Sequence, residues 1–140
     1  MPSNTTYNPP SVDSFVKTAL LFNAQGVSAT VTAGSTQNID LTLTDDSLLT
    51  GVNVISGNGN FGDYVNLEVI DTSGAFTGVP GTLINQFVTN WYLAPEAQDE
   101  FKLSYPAKLL TGMTIRIIYV STGTVNPFLA TNYELHKILF

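Results

Sequence analysis

The sequence predicts an all-β protein: a single-domain antiparallel β-sandwich, jelly-roll-like, with seven to eight strands and an extended N-terminal arm. Three observations predict it. Apolar and polar residues alternate with period two in several short runs, such as Val65, Leu67, Val69 against Asn66, Glu68, Ile70. Turn-forming clusters of Gly, Asn, Asp and Pro separate these runs at intervals of about 8 to 14 residues, close to the spacing of sandwiches and jelly rolls. No helical period persists beyond three turns, and no strand–helix–strand alternation occurs, which argues against a nucleotide-binding parallel sheet. At 140 residues the chain can build one real core but not two.

The elements follow in order. Residues 1–14 read as an extended arm, because Pro2, Pro9 and Pro10 forbid regular helix and Asn, Ser and Thr fill the gaps. Such an arm is either a disordered tail or a segment that orders on a neighbouring subunit. Residues 15–140 form the sandwich. The run from Phe15 fits a helical turn or a strand, and strand is favoured because a turn at Asn23–Gly26 follows and Val27, Ala29 and Val31 then alternate with Ser28, Thr30 and Thr32. After the turn at Ala33–Ser35, Ile39, Leu41 and Leu43 mark a half-buried strand that Asp45 and Asp46 end. Leu48–Ser56 is a further strand, and 57–60 (GNGN) a loop.

Asp63–Asp71 is the clearest short strand, with Val65, Leu67 and Val69 turned to the core. Thr72–Gly81 is a loop with Phe76 at its tip. Thr82–Leu93 is either a helical turn followed by a strand or one bulged strand. Ala94–Glu100 reads as an acidic loop, and Phe101, Leu103 and Tyr105 as a strand that Pro106 ends. In the closing stretch, Met113, Ile115, Ile117 and Tyr119 share one face. Gly123 and Asn126–Pro127 break the run, and Tyr133, Leu135, Lys137 and Leu139 alternate with Asn132, Glu134, His136 and Ile138. These two long strands predict an antiparallel pair that needs a second sheet over its apolar face.

Composition restricts function. Charged residues are 11% of the chain, against roughly 25% in a typical soluble domain; 18 Thr, 10 Ser and 12 Asn supply neutral polar surface instead. Low charge weakens the usual defence against association, which suits a protein held in contact with others and equally an ordinary Thr-rich β-protein. The net charge is −6, and the five basic residues Lys17, Lys102, Lys108, Arg116 and Lys137 are scattered, so no nucleic-acid partner is predicted. Cysteine is absent, which removes disulfides, thiolate nucleophiles and Cys-ligated zinc. No run approaches the ~20 apolar residues of a spanning helix, so no membrane partner is predicted. The first 15 residues lack the basic and apolar regions of a secretory signal.

No catalytic residue, metal or cofactor is predicted. The lone histidine, His136, stands two residues from Glu134 on one strand face; a metal ligand or general base is the sharp reading, a packed or solvated side chain the ordinary one. No nucleophile-elbow pattern accompanies it. Asp45–Asp46, Asp71, and Glu96 with Asp99 and Glu100 could offer calcium oxygens, but none has EF-hand spacing. Phe87, Trp91 and Tyr92 could form a sugar-stacking platform or fill core. GNGNFG (57–62) is glycine-rich but has no lysine and no following helix, so it is a poor phosphate cradle.

Four segments taken in order, GDYVNLEVID (62–71), LINQFVTNWYLAPE (83–96), YPAKLLTGMTIRIIYVSTGT (105–124) and NYELHK (132–137), resemble small β-sandwich structural proteins of tailed-phage virions. The resemblance covers about the C-terminal two-thirds of the chain and carries no catalytic signature. It implies a virion component of jelly-roll-like fold, foremost a capsid decoration (cement) protein on the outer face of the shell, with the major capsid protein as partner and self-association as dimer or trimer. A tail, collar or baseplate module is the alternative, and a carbohydrate-binding sandwich the second. The candidate shell contacts are Tyr7, Pro9 and Pro10 in the arm and Phe76, Val79 and Pro80 in the loop 72–81.

Overall fold

The computed structural model describes residues 20–22, by their backbone, and 24–138. The arm expected at 1–14, with Tyr7, Pro9 and Pro10, lies outside the described residues, as do 15–19. The strands are β1 (Leu20–Phe22), β2 (Gln25–Thr30), β3 (Thr36–Thr42), β4 (Ser47–Gly57), β5 (Tyr64–Asp71), β6 (Thr82–Tyr92), β7 (Ala97–Leu109), β8 (Met113–Val120) and β9 (Phe128–Ile138). β1 and β2 lie end to end on β9 in one register, with Phe22 opposite His136 and Gln25 opposite Tyr133, so they act as one strand and the described residues form eight.

One sheet runs (β1, β2)-β9-β4-β7 and the other β3-β8-β5-β6, with every pairing antiparallel. In chain order these are the strand sets of a jelly roll: successive strands alternate between sheets except β5 and β6, which pair as a hairpin within one sheet. The inner faces supply the core. Val52, Val54, Leu129, Tyr133 and Leu135 from one sheet join Ile39, Val65, Leu67, Ile115, Ile117 and Tyr119 from the other in one buried cluster. Each fully buried aliphatic side chain contributes about 1.5–3 kcal/mol. The period-two pattern is explicit in β5 and β8: Val65, Leu67 and Val69, assigned to the core from sequence, are buried, and so are Met113, Ile115, Ile117 and Tyr119, which sequence placed on one face.

The structure corrects five local expectations. β8 and β9 are not a pair: β8 is flanked by β3 and β5, and β9 by β1, β2 and β4, in opposite sheets. Both bury an apolar face, but from opposite sides of the core, and the connection 121–127 carries the chain across. The turn expected at Asn23–Gly26 is replaced at Gln25 and Gly26 by strand, opposite Tyr133 and Asn132. The loop expected over 94–100 gives way at Ala97 to strand, because Val54, Ile55 and Ser56 of the long β4 offer partners to Asp99, Gln98 and Ala97. An edge strand can be polar, since water solvates its far side. Pro106 does not end that strand. Between Lys102 (opposite Gly51) and Ala107 (opposite Leu49), β7 bulges outward at 103–106, leaving Tyr105 85% exposed. Proline lacks a donor and is tolerated at such an edge bulge. β6 resolves as the bulged strand, with three register shifts against β5; Ile70, expected to face outward, is buried beside one of them.

One core residue carries a testable defect. Among the described residues the buried Tyr133 hydroxyl has no hydrogen-bond partner, and burial pushes the phenol pKa up. An orphaned buried hydroxyl costs about 1–3 kcal/mol. Tyr133→Phe is therefore expected to leave stability unchanged or raise it by about 1 kcal/mol, read as a higher urea midpoint.

Candidate docking surfaces

The residues that sequence marked for chemistry are occupied otherwise. The Glu134 carboxylate accepts both contacts of the Lys102 ammonium at 2.7 Å, and this holds its pKa below the ordinary value. His136 Nε2 lies 3.4 Å from Thr50 Oγ1, which also contacts Glu134. Among the described residues no group of three or more acids and histidines could hold a metal.

The sugar platform does not form. Successive strand residues turn to opposite faces, so Trp91 and Tyr92 diverge. Trp91 lies against Phe101, with ring centroids 6.3 Å apart and planes at 53°, and its indole N–H donates to Asp99 Oδ2 at 3.0 Å. That contact ties the edge strand β6 to the edge strand β7 and closes one flank of the sandwich. Tyr92 packs instead on Tyr64, and Phe87 against the core.

The loop acids brace loops. Asp63, buried at the start of β5, accepts from five donors: Asn60 N–H (3.0 Å) and side-chain amide (3.3 Å), Tyr119 hydroxyl (2.8 Å), and Thr122 N–H (2.8 Å) and hydroxyl (3.1 Å). Burial pushes its pKa up, but the donors led by the Thr122 and Asn60 amides outweigh burial, and the net shift is downward. The GNGNFG loop thus wraps an internal carboxylate, and an external phosphate would meet that charge. Asp71 does the same for the loop 72–81: its Oδ2 accepts from Phe76 N–H, Thr77 N–H and Thr77 hydroxyl at 3.1, 2.7 and 2.8 Å. Burial again opposes the shift, and the donors again hold the pKa below the ordinary value. Asp46 accepts from Thr111 N–H and hydroxyl at 2.9 and 3.1 Å, which lowers its pKa as well.

This bracing fixes exposed apolar side chains at the two ends of the sandwich. At one end lie the connections 31–35, 58–63, 93–96 and 121–127; at the other, 43–46, 72–81 and 110–112. At the first end Phe61 is 90% and Val125 49% exposed, on two loops that Asn60 joins. Asn60 donates to Val125 C=O (3.0 Å) and accepts from its N–H (3.3 Å), and Gly123 sits so close that a Cβ there would stand 2.1 Å from Asn60. At the second end Phe76 and Val79 are 63% and 62% exposed. Pro80 is exposed too, but its ring also closes over Gly74, where a Cβ would meet it at 2.8 Å. The structure thus brings Phe76, Val79 and Pro80 together on one braced loop. Sequence reading passed over Phe61 and Asp63. The signal was present as Asn60 and Asp63 at i and i+3 around Gly62, the spacing of a side chain that closes a turn on its own backbone.

No protein-family model and no curated protein matches this chain. Among solved structures, that of infectious bursal disease virus, Gx strain, is similar over 85% of this chain, at 11% identity and a TM-score of 0.37. This chain spans 37% of that chain's length.

Proposed function

We propose that this protein is a virion structural protein of a tailed phage, a capsid decoration (cement) protein that sits on the outer face of the shell and bridges capsomers. The observation that carries the reading is the pair of braced loop ends: apolar side chains stand in solvent on loops whose backbones are fixed by internal carboxylates. Exposed apolar groups on a preorganised frame favour contact, because little ordering entropy remains to be lost on docking. The jelly-roll strand order and the ordered segments that resemble phage virion sandwiches support the same reading. Its mechanism is burial of surface at repeated contacts, each about 1,200–2,000 Å², with repetition over the shell supplying avidity. The partner is the major capsid protein, contacted through the loop 72–81 and the arm 1–14; no reacting group takes part.

Quantitative mass spectrometry of purified particles tests it. A decoration protein is present in hundreds of copies per particle, on the order of the capsomer number. A handful of copies moves the chain to the tail, collar or baseplate, and absence from particles removes the virion reading. Deleting residues 1–14 is expected to lower occupancy, and full occupancy would take the arm out of the mechanism.

A further inference from the structure

We infer that the free edge of β3 (Thr36–Thr42) pairs with the same edge of a second copy of this chain, antiparallel, about a twofold axis at Ile39. β3 ends its sheet, and among the described residues no strand lies beyond it. It aligns with β8 residue for residue, from Thr36 opposite Val120 to Thr42 opposite Thr114, with no shift. The hydrogen-bond phase follows from the flanking contacts in that register: Ser121 N–H donates to Ser35 C=O and Leu43 N–H to Met113 C=O, both at 2.9 Å. In an antiparallel ladder, alternate residues exchange both bonds with their partner and the rest turn away. Odd-numbered residues of β3 therefore bond to β8, while Thr36, Asn38, Asp40 and Thr42 present N–H and C=O to the open side.

The other flank shows what a guarded edge looks like here. β6 carries three register shifts. β7 carries the bulge at 103–106 with Pro106, between Lys102 and Lys108. Bulges, proline and lysine are the usual devices against edge pairing, and β3 (TQNIDLT) has none of them. On its own flank the edge formed by β1 and β2 carries Gly26, which weakens a strand, whereas β3 contains no glycine.

The occupant follows from complementarity. Two copies of β3 can bond only through even-numbered residues. Centred on Asp40, two carboxylates would stand opposite each other, and like charges so placed destabilise. Centred on Ile39, Asn38 faces Asp40 of the second copy and Thr36 faces Thr42, all four even-numbered residues find partners, and Ile39 meets Ile39 on the inner face. Asp40 is already held by Arg116 through two 2.9 Å contacts, so an Asn38 amide can approach it without a bare charge being buried.

The test is sedimentation velocity on the full chain across a concentration series. The wild type is expected to sediment at twice the 15.1 kDa chain mass, with a Kd below about 10 µM. Asn38→Asp sets an acid against Asp40 at both symmetric contacts and is expected to raise the Kd about tenfold or more. Asn38→Lys meets Asp40 with opposite charge and is expected to preserve or tighten the dimer at low salt. Asn38 is exposed on the outer face of β3, opposite Ile118 of β8, so both variants should stay folded, which a thermal melt of each checks. A chain that stays monomeric to about 100 µM overturns the inference. So does a dimer whose Kd responds alike to the two substitutions or to neither. The result is read on purified chain and is independent of the virion reading.

Discussion

Asp63→Ala is expected to remove about 3–4 kcal/mol of folding stability, a large effect for one position. Five donors converge on this carboxylate, and three of them, the Tyr119 hydroxyl and the Thr122 and Asn60 amides, come from different segments of the chain. Hydrogen bonds to a charged acceptor contribute about 1.5–3 kcal/mol each, and donors left buried without one add their own cost. Urea melts measure the loss. Amide hydrogen exchange gives the signature, because Asn60 and Thr122 should lose protection together while β4 and β9 keep theirs. Asp63→Asn should lose nearly as much, since its amide group turns a donor toward donors.

The same brace sets the acid limit. Asp63, Asp71 and Asp46 all have folded pKa values below the ordinary one. A carboxyl with a depressed folded pKa contributes stability above its unfolded pKa, and that stability is lost as pH falls toward and through the folded value. Stability is therefore expected to be level from neutral pH to about 5 and to fall steeply below roughly 3.9. In Asp63→Ala the acid-side slope should be shallower. An equal slope in both proteins would remove Asp63 from the account.

The second large effect is at the loop 72–81, proposed above as the shell contact. Replacing Phe76 and Val79 together by serine is expected to lower retention on shells by at least about tenfold, because truncating an apolar anchor at an interface centre costs about 2 kcal/mol or more. The fold should survive, since both side chains stand mostly in solvent and the loop is held by Asp71 backbone contacts that serine leaves alone. Phe61→Ser with Val125→Ser, at the other end, is the comparison and should release far less. Equal release by both pairs would mean that the loop 72–81 is not the principal contact.

Much of the fold was legible because burial writes itself into strands with period two. Alternation assigned Val65, Leu67 and Val69 to the core and put Ile115, Ile117 and Tyr119 on one common face, and each is fully buried. Sheet membership was not legible. β8 and β9 are successive, long and amphipathic, and alternation fixes which face is buried but not which sheet the strand joins. The edge strand β7 was misread for a related reason: Gln98, Asp99 and Glu100 bury no apolar face, so nothing in their pattern signals pairing with β4. The exposure of Phe76, Val79 and Pro80 was legible, because they are apolar residues in a Gly-rich loop. Asp63 was not, because the donors that define it lie 56 and 59 residues away at Tyr119 and Thr122.

Cryo-electron microscopy of the particle tests the central claim most directly. The account predicts eight-stranded jelly-roll density repeated over the outer face of the shell, with the end bearing 72–81 turned toward the capsomers. Density for this chain confined to a tail or baseplate, or a shell whose outer face lacks it, would contradict the account.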